Sequence, residues 1–240
     1  MSAPLGSRPM TAPLTIAIDG PSGSGKSTVA RAVAQRLGIG YLDTGAMYRA
    51  LTWWCLERGL DLADTGAVAD AARELPLEIG TDPRAPRVAV DGTDVSALIR
   101  TTEVSTAVSA VATNREVRPV LQQLQRDLMA RIAEETGGVV AEGRDITTVV
   151  APDARVRVLL TASEEARLRR RSAELHGAAD DAAVAATRDQ VVRRDRDDST
   201  VSAFTEAADG VDLVDTSELT LDESIEAVLD VVATVTADEG

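Results

Sequence analysis

The chain has very few of the residues that build metal centres, disulfides and histidine-based catalysis. Its 240 residues include one cysteine, Cys55, and one histidine, His176. A single cysteine excludes an internal disulfide framework and a cysteine-cluster metal site. A single histidine excludes metal triads built from several histidines and argues strongly against Ser-His-Asp chemistry.

Membrane and secretion signals are also missing. No run approaches the roughly 18 apolar residues that a membrane-spanning helix requires. The first thirteen residues hold one arginine and no apolar stretch, which is not typical of a secretory signal. We expect these thirteen residues to form a disordered tail, and we expect the protein to be cytoplasmic with no membrane partner.

The negative charge is concentrated at one end of the chain. The formal net charge is −14, and residues 200–240 hold eleven acidic residues and no basic ones. The first 199 residues carry 28 acidic against 25 basic residues, which leaves −3. Because a nucleic-acid backbone requires a basic face, nucleic acid is not expected as a partner. The acidic end is typical of a solvated helix.

Lysine occurs once, and it lies in a phosphate-binding motif. Of the 25 basic residues, 24 are arginine and one is Lys26. Residues 20–27 match G-x-x-x-x-G-K-[ST], between the apolar run Leu14–Ile18 and a helical pattern that begins near Val29. In this motif, glycines let the backbone N–H groups surround phosphate oxygens at a helix N-terminus. The expected phosphate-binding residues are Gly20, Pro21, Ser22, Gly23, Ser24, Gly25, Lys26, Ser27 and Thr28.

The motif predicts a nucleoside triphosphate and Mg²⁺ as cofactors. Lys26 is expected to bridge the β- and γ-phosphates, and the Ser27 hydroxyl is expected to ligate Mg²⁺. Guanine-specific enzymes of this class use an Asn-Lys-x-Asp element, which cannot exist here because the chain has no second lysine. The length and the many arginines favour a small kinase that uses ATP.

Strands alternate with helices along most of the chain. This pattern predicts the α/β class, with a parallel sheet flanked by helices on both faces. Between about residues 60 and 100, prolines punctuate short β-like segments with an Asp91-Gly92 turn, which predicts an antiparallel insert. We expect one kinase domain with a core of residues 14–43, 113–166 and 184–240, an acceptor-binding region at 44–112 and a lid near 167–183.

A second motif follows the next predicted strand. Residues 43–49, Asp-Thr-Gly-Ala-Met-Tyr-Arg, lie at the carboxyl end of a strand beside the phosphate loop, where an acceptor binds in an open parallel sheet. Arg49 can hold an acceptor phosphate through two parallel hydrogen bonds. The alternative is an ordinary amphipathic helix that Thr44 caps and from which Arg49 points into solvent.

Residues 163–171 form an arginine-dense helical segment that has two interpretations. It can be an exposed helix with pairs four residues apart, such as Glu165 with Arg169. In a kinase lid, Arg169 and Arg170 would instead fold over the polyphosphate. We favour the lid.

Together these segments resemble the bacterial cytidylate kinases, which are nucleoside monophosphate kinases with a P-loop NTPase core. The resemblance implies transfer of the γ-phosphoryl group of ATP to CMP or dCMP by a Mg²⁺-dependent monomer, which yields ADP and CDP or dCDP in pyrimidine metabolism. It covers most of the chain, through residues 20–28, 43–49, 94–96, 99–100, 142–146, 148–150, 152–154, 194–195 and 198–199.

The resemblance also implies roles for individual residues. Thr44 and Arg49 would hold the acceptor, with Arg49 and Arg144 at its phosphate. An aspartate that accepts from the amino group of cytosine would repel the oxygen of uracil. The cytosine would be bound by Ser109, Arg118 and Asp145, and the ribose by Arg194 and Asp198; the charge clamps for transfer would be Lys26, Arg144, Arg169 and Arg170.

The chain departs from the family pattern at two places. Thr147 stands where the family usually has glycine, and Val201 stands where it usually has arginine.

Two other functions are compatible with the phosphate loop. One is a kinase for a different small acceptor, and the other is a nucleotide-binding regulator that transfers nothing.

Overall fold

The fold is known from a computed structural model, which describes residues 13–176, 188 and 195–237, without the side chains of 174–176. Five strands form a parallel sheet, in the spatial order 40–43, 138–143, 14–19, 156–161 and 212–215. The helices and strands of the sheet confirm the predicted α/β class. The strands are β1 (Leu14–Asp19), β2 (Gly40–Asp43), β3 (Leu77–Ile79), β4 (Val88–Val90), β5 (Thr93–Asp94), β6 (Gly138–Gly143), β7 (Val156–Thr161) and β8 (Asp212–Asp215).

α-Helices surround this sheet and the insert. Two shorter helical segments accompany them, a 3₁₀ turn at Leu98–Arg100 and a π-helical turn at Ile146–Val150. No helix of the described residues is long and apolar enough to cross a membrane. The α-helices are α1 (Lys26–Leu37), α2 (Thr44–Glu57), α3 (Thr65–Arg73), α4 (Thr102–Ala112), α5 (Val117–Thr136), α6 (Glu164–His176) and α7 (Leu221–Ala237).

The parallel sheet is buried on both faces. Successive residues of β1 point to opposite sides, because side chains alternate along a strand. Ile16 and Ile18 pack with α1 and α7 on one side, whereas Ala17 packs with α5 on the other. Such two-sided burial explains why the central strands β1 and β6 are largely apolar.

The strand order brings three strand ends together. β1 pairs with β6 on one side and β7 on the other, and β2 lies beyond β6. The registers place Asp19 beside Gly143 and Asp43 beside Glu142. The phosphate loop, the start of α2 and the turn after β6 therefore meet at the carboxyl edge of the sheet.

The predicted insert is antiparallel and packs against α2. β3, β4 and β5 form a separate sheet, and Asp91 and Gly92 both adopt positive φ in the turn between β4 and β5. Val88 and Val90 pack in one cluster with Ala46 and Ala50 of α2. The insert therefore supports the helix that carries the second motif.

Two local features differ from the sequence analysis. It did not predict α3, whose buried face consists of Val68 and three alanines, because it assigned residues 60–100 to a proline-punctuated antiparallel insert. The cap of α2 is not Thr44 but Asp43, whose Oδ1 accepts from the N–H of Ala46 at 2.8 Å. Thr44 is the first residue of the helix, and its hydroxyl bonds elsewhere.

Thr147, which stands where the family usually has glycine, points into the protein. Its hydroxyl and its N–H donate to Asp19 Oδ2 at 2.7 and 2.8 Å, and the N–H of Ile146 donates to Asp19 Oδ1 at 3.0 Å. Burial raises the pKa of Asp19 to about 6, although these hydrogen bonds oppose the increase. The extra side chain thus stabilises the ionised carboxylate at the end of β1.

We expect Thr147→Val to destabilise the protein more at pH 8 than at pH 5. A hydrogen bond to a charged group contributes about 1.5–3 kcal/mol, and Asp19 is ionised only at the higher pH. Because the folded pKa of Asp19 lies above its unfolded value, its contribution to stability falls as the pH rises from about 4 to 6. Loss of the hydroxyl raises that folded pKa further and deepens the fall.

Urea unfolding at both pH values measures the effect, with Thr148→Val as the matched control one residue away. Equal destabilisation by Thr147→Val at pH 5 and pH 8 would contradict the assignment of the hydroxyl to the charged carboxylate.

Candidate active site

A cavity of about 380 Å³ lies at the carboxyl edge of the parallel sheet. Its walls come from the phosphate loop, α2, α4, α5, the turn after β6, the insert and residues 198–202. Of the nine expected phosphate-binding residues, Ser22, Gly23, Gly25, Lys26, Ser27 and Thr28 line it. The two sequence motifs and the turn after β6 therefore face one space.

The phosphate loop has a backbone that requires glycine. Gly23 and Gly25 have φ of 77° and 88°, in the left-handed region. A Cβ on Gly23 would lie 2.5 Å from the carbonyl oxygen of Arg167, so a side chain is excluded there by space as well as by conformation. Lys26 begins α1, and its Nζ donates to the carbonyl of Pro21 at 3.4 Å. The loop therefore wraps around the N-terminus of α1, which is the arrangement that binds phosphate.

A buried carboxylate that the sequence analysis missed lies beside the expected Mg²⁺ ligand. Glu142 is the penultimate residue of β6 and is 2 % exposed. Its Oε1 accepts from Ser27 Oγ at 2.6 Å and from the Tyr41 hydroxyl at 3.2 Å. Burial, and next the charge of Asp43, raise its pKa to about 7, while Lys26 and the Ser27 hydroxyl act in the opposite direction.

This donor set fits magnesium. Mg²⁺ prefers oxygen ligands and is commonly held by one or two carboxylates together with substrate phosphates. The Ser27 hydroxyl and the carboxylates of Glu142 and Asp43 supply such oxygens beside the phosphate loop. Glu142 could have been found from sequence, since an acidic residue lies near the end of a strand that borders the phosphate-loop strand.

Arg49 is buried and lies in the cavity wall. It donates from NH1 to the carbonyl of Ile99 at 3.2 Å and to Ser105 Oγ at 2.9 Å. Thr44 also lines the cavity, and its hydroxyl donates to the carbonyl of Glu142 at 2.8 Å. Arg49 therefore does not point freely into solvent, as the ordinary-helix interpretation would require.

Arg118 and Asp145 form a buried ion pair that lines the cavity. The NH2 of Arg118 lies 2.7 Å from Asp145 Oδ2, and Gln122 Nε2 donates to the same oxygen at 2.8 Å. Arg118 also donates to Ser202 Oγ at 3.1 Å. Ser109, in contrast, is absent from the cavity wall among the described residues, where its neighbours Val108 and Ala112 take that position.

Arg144 is held between two aspartates and an aromatic ring. Its NH1 lies 2.9 Å from Asp195 Oδ1 and its Nε lies 3.1 Å from Asp198 Oδ2. The guanidinium also lies over the ring of Phe204, 4.4 Å from its centroid. Arg144 and Asp198 both line the cavity, so the structure brings together these two predicted residues. Arg194 lies outside the described residues.

Asp195 connects residues 195–202 to the phosphate loop, and the sequence analysis gave it no role. Its Oδ1 accepts from the N–H of Ser22 at 3.1 Å, and Oδ2 is paired with Arg167. Because Oδ1 also accepts from Arg144, one carboxylate joins the phosphate loop, the turn after β6 and α6. Nothing in the spacing of the sequence indicates this connection.

The arginines of α6 face different directions. Arg169 is mostly exposed and pairs with Glu165 at 2.8 Å, which is the pair that the alternative interpretation named. Arg171, which the sequence analysis did not select, lines the cavity. The face of α6 that meets the site therefore includes Arg167 and Arg171 rather than Arg169.

Arg170 lies behind the phosphate loop. It donates to the carbonyl of Ser24 at 3.3 Å, and to the hydroxyl and carbonyl of Thr216 at 2.9 and 2.6 Å. In the described residues it is absent from the cavity wall. It thus braces the loop from the side of β8, and a role over the polyphosphate stays a prediction for Arg169 and Arg170.

Comparisons with known proteins agree with this arrangement. The family model for cytidylate kinase matches residues 16–234. The chain is 52% identical to the cytidylate kinase of Streptomyces avermitilis, over 90% of this chain and 91% of that protein. It is 51% identical to the cytidylate kinase of Cutibacterium acnes, over 92% and 97%.

A solved structure in the comparison is more distant in sequence. A shikimate kinase from Acinetobacter baumannii covers 95% of this chain and is itself covered to 96%, with 16% identity and a TM-score of 0.42. That likeness is too remote to bear on function. The family match and the two relatives decide the matter: the chain belongs to the cytidylate kinase family of nucleoside monophosphate kinases.

Proposed function

We propose that this chain transfers the γ-phosphoryl group of ATP to CMP or dCMP and produces ADP with CDP or dCDP. The observation that carries the proposal is one cavity that joins the phosphate loop to two buried arginines and to the Arg118–Asp145 pair. A kinase needs its donor and acceptor phosphates side by side, and the acceptor must be recognised at its far end.

On the donor side, the backbone of the phosphate loop and Lys26 would hold the β- and γ-phosphates. Ser27, Glu142 and Asp43 would hold Mg²⁺ or its water ligands. When bound there, Mg²⁺ would neutralise part of the negative charge on the phosphates. Arg171, in the cavity wall, supplies a further positive charge from α6.

On the acceptor side, Arg49 and Arg144 would bind the phosphate of CMP. An oxygen of that phosphate attacks the γ-phosphorus, and the bond from the γ-phosphorus to the leaving ADP oxygen breaks in line. The protein mainly positions the groups and neutralises their charge, so the reaction needs no covalent intermediate. Cys55 is buried and does not line the cavity.

At the other end of the acceptor, Arg118 and Asp145 would bind the cytosine edge. Asp145 accepts from the amino group, where uracil offers an oxygen that a carboxylate repels. Asp198 would bind the ribose, together with Arg194. Ser109 stays a prediction as a cytosine contact, since its neighbours on α4 are the ones in the cavity wall.

We expect rapid ADP release with CMP and dCMP and little with UMP, AMP, GMP or shikimate. Lys26→Ala should lower kcat on the order of 10³-fold or more, because it removes a cation from the developing charge of the transferred group. A coupled ADP-release assay with ATP and Mg²⁺ measures both. Arg36→Ala, which removes an exposed cation of the same helix, is the matched control and should leave kcat unchanged.

Binding of ATP with no acceptor-dependent ADP release would refute the kinase and favour the nucleotide-binding regulator. Release confined to shikimate or another small acceptor would favour a different kinase of the same fold.

We expect Glu142→Gln to raise the Mg²⁺ concentration for half-maximal activity by roughly 10- to 100-fold. Glutamine keeps an oxygen for the hydroxyls of Ser27 and Tyr41 but loses the charge that attracts the cation. A Mg²⁺ titration at saturating ATP and CMP, with direct Mn²⁺ binding as a second readout, measures the change. Glu134→Gln, on the exposed face of α5, is the control, and equal titration curves for both variants would remove Glu142 from the metal site.

A further inference from the structure

Asp145 is held by two side chains of α5 that lie one turn apart. Arg118 and Gln122 are four residues apart, so they project from the same face of that helix. Their NH2 and Nε2 atoms lie 2.7 and 2.8 Å from Oδ2 of Asp145. Among the described residues, both side-chain donors to this carboxylate therefore reach the same oxygen.

This arrangement gives the two carboxylate oxygens of Asp145 different roles, one held by the protein and one able to accept from a ligand. Asp145 lines the cavity, and its side chain is 6% exposed. With Oδ2 occupied by Arg118 and Gln122, Oδ1 is the oxygen left to accept from a ligand. A carboxylate that is fixed in rotation presents that oxygen at one place, which a freely turning carboxylate does not.

The two donors are not equivalent. Arg118 lines the cavity, so a bound nucleotide can draw its guanidinium away from Asp145. Gln122 is half-buried and, within the described residues, does not line the cavity, so it does not compete for the ligand. When Arg118 turns to the base, Gln122 is the donor that continues to hold Oδ2.

We infer that Gln122 is a positioning residue for base selection, which fixes the Asp145 carboxylate so that Oδ1 accepts from the amino group of cytosine. The inference rests on the proposed function. It assigns discrimination between an amino group and a carbonyl oxygen on the acceptor base to a side chain that does not touch the base.

The test compares Gln122→Met with Gln123→Met. Methionine has nearly the size of glutamine and removes the hydrogen bond, and Gln123 is the adjacent residue on the exposed face, where it donates to Asp127 at 2.8 Å. KM and kcat are measured for CMP, dCMP and UMP in the full-length protein. We expect Gln122→Met to raise the KM for CMP and dCMP roughly 5- to 10-fold with kcat changed less than about twofold.

The readout that separates positioning from simple structural damage is the ratio of kcat/KM for CMP to that for UMP. Gln122→Met should lower this ratio roughly 5- to 10-fold, because a loosened carboxylate repels the uracil oxygen less well. Gln122→Glu should lower it further, because a second carboxylate against Oδ2 pushes Asp145 away from its position. Gln123→Met should leave the ratio unchanged.

An unchanged ratio in both Gln122 variants, or equal losses with CMP and UMP, would overturn the inference. If Gln122→Met does not fold, Gln122→Glu alone decides, since it retains size and polarity. Failure of the proposed function is separate, because it would appear as absence of CMP-dependent turnover in the unsubstituted protein. In that case calorimetric CMP and UMP binding, compared between the Gln122 and Gln123 variants, still tests the positioning.

Discussion

Two buried carboxylates, those of Asp19 and Glu142, lie at the carboxyl ends of neighbouring strands. The loops of the site supply the hydrogen-bond donors that these carboxylates require. A buried carboxylate is costly unless donors and cations surround it. Asp19 is satisfied by the turn after β6, and Glu142 by Ser27 of the phosphate loop and by Tyr41. The carboxylate near the end of each strand thus accepts hydrogen bonds from the loop that follows the other strand, which fixes both loops relative to the sheet.

At the proposed acceptor end of the cavity, arginines rather than carboxylates are the groups that need partners of opposite charge. Here arginines are withdrawn from solvent and aspartates hold them: Arg118 against Asp145, and Arg144 against Asp195 and Asp198. Paired side chains of this kind lose their rotational freedom before a substrate arrives, which is the purpose of preorganisation. In the proposed function, a phosphate that enters would find the Arg144 guanidinium already oriented by Asp195 and Asp198.

Much of the fold and part of the site could be predicted from the sequence. The phosphate loop was predictable because its function depends on residues that are consecutive in the chain. α3 was missed although Val68 and three alanines share one helical face, because the prolines and short β-like segments that follow it led to the whole stretch being assigned to the insert. Helix geometry could have predicted which arginines of α6 face the site. With 3.6 residues per turn, Arg167 and Arg171 share a face, whereas Arg169 lies nearly opposite. Gln122 and Asp195 could not have been found, because their partners are more than 20 residues away in sequence.

Asp195 shows why long-range contacts matter for transfer. Its carboxylate accepts from the Ser22 N–H of the phosphate loop and pairs with Arg144, the proposed acceptor ligand, and with Arg167 of α6. A displacement of the segment that carries Asp195 would therefore disturb the phosphate loop and Arg144 together. Phosphoryl transfer requires both phosphates to be held in line at the same moment, and exclusion of water requires that neither be exposed alone. A single carboxylate that spans both sites couples these requirements more directly than separate contacts could.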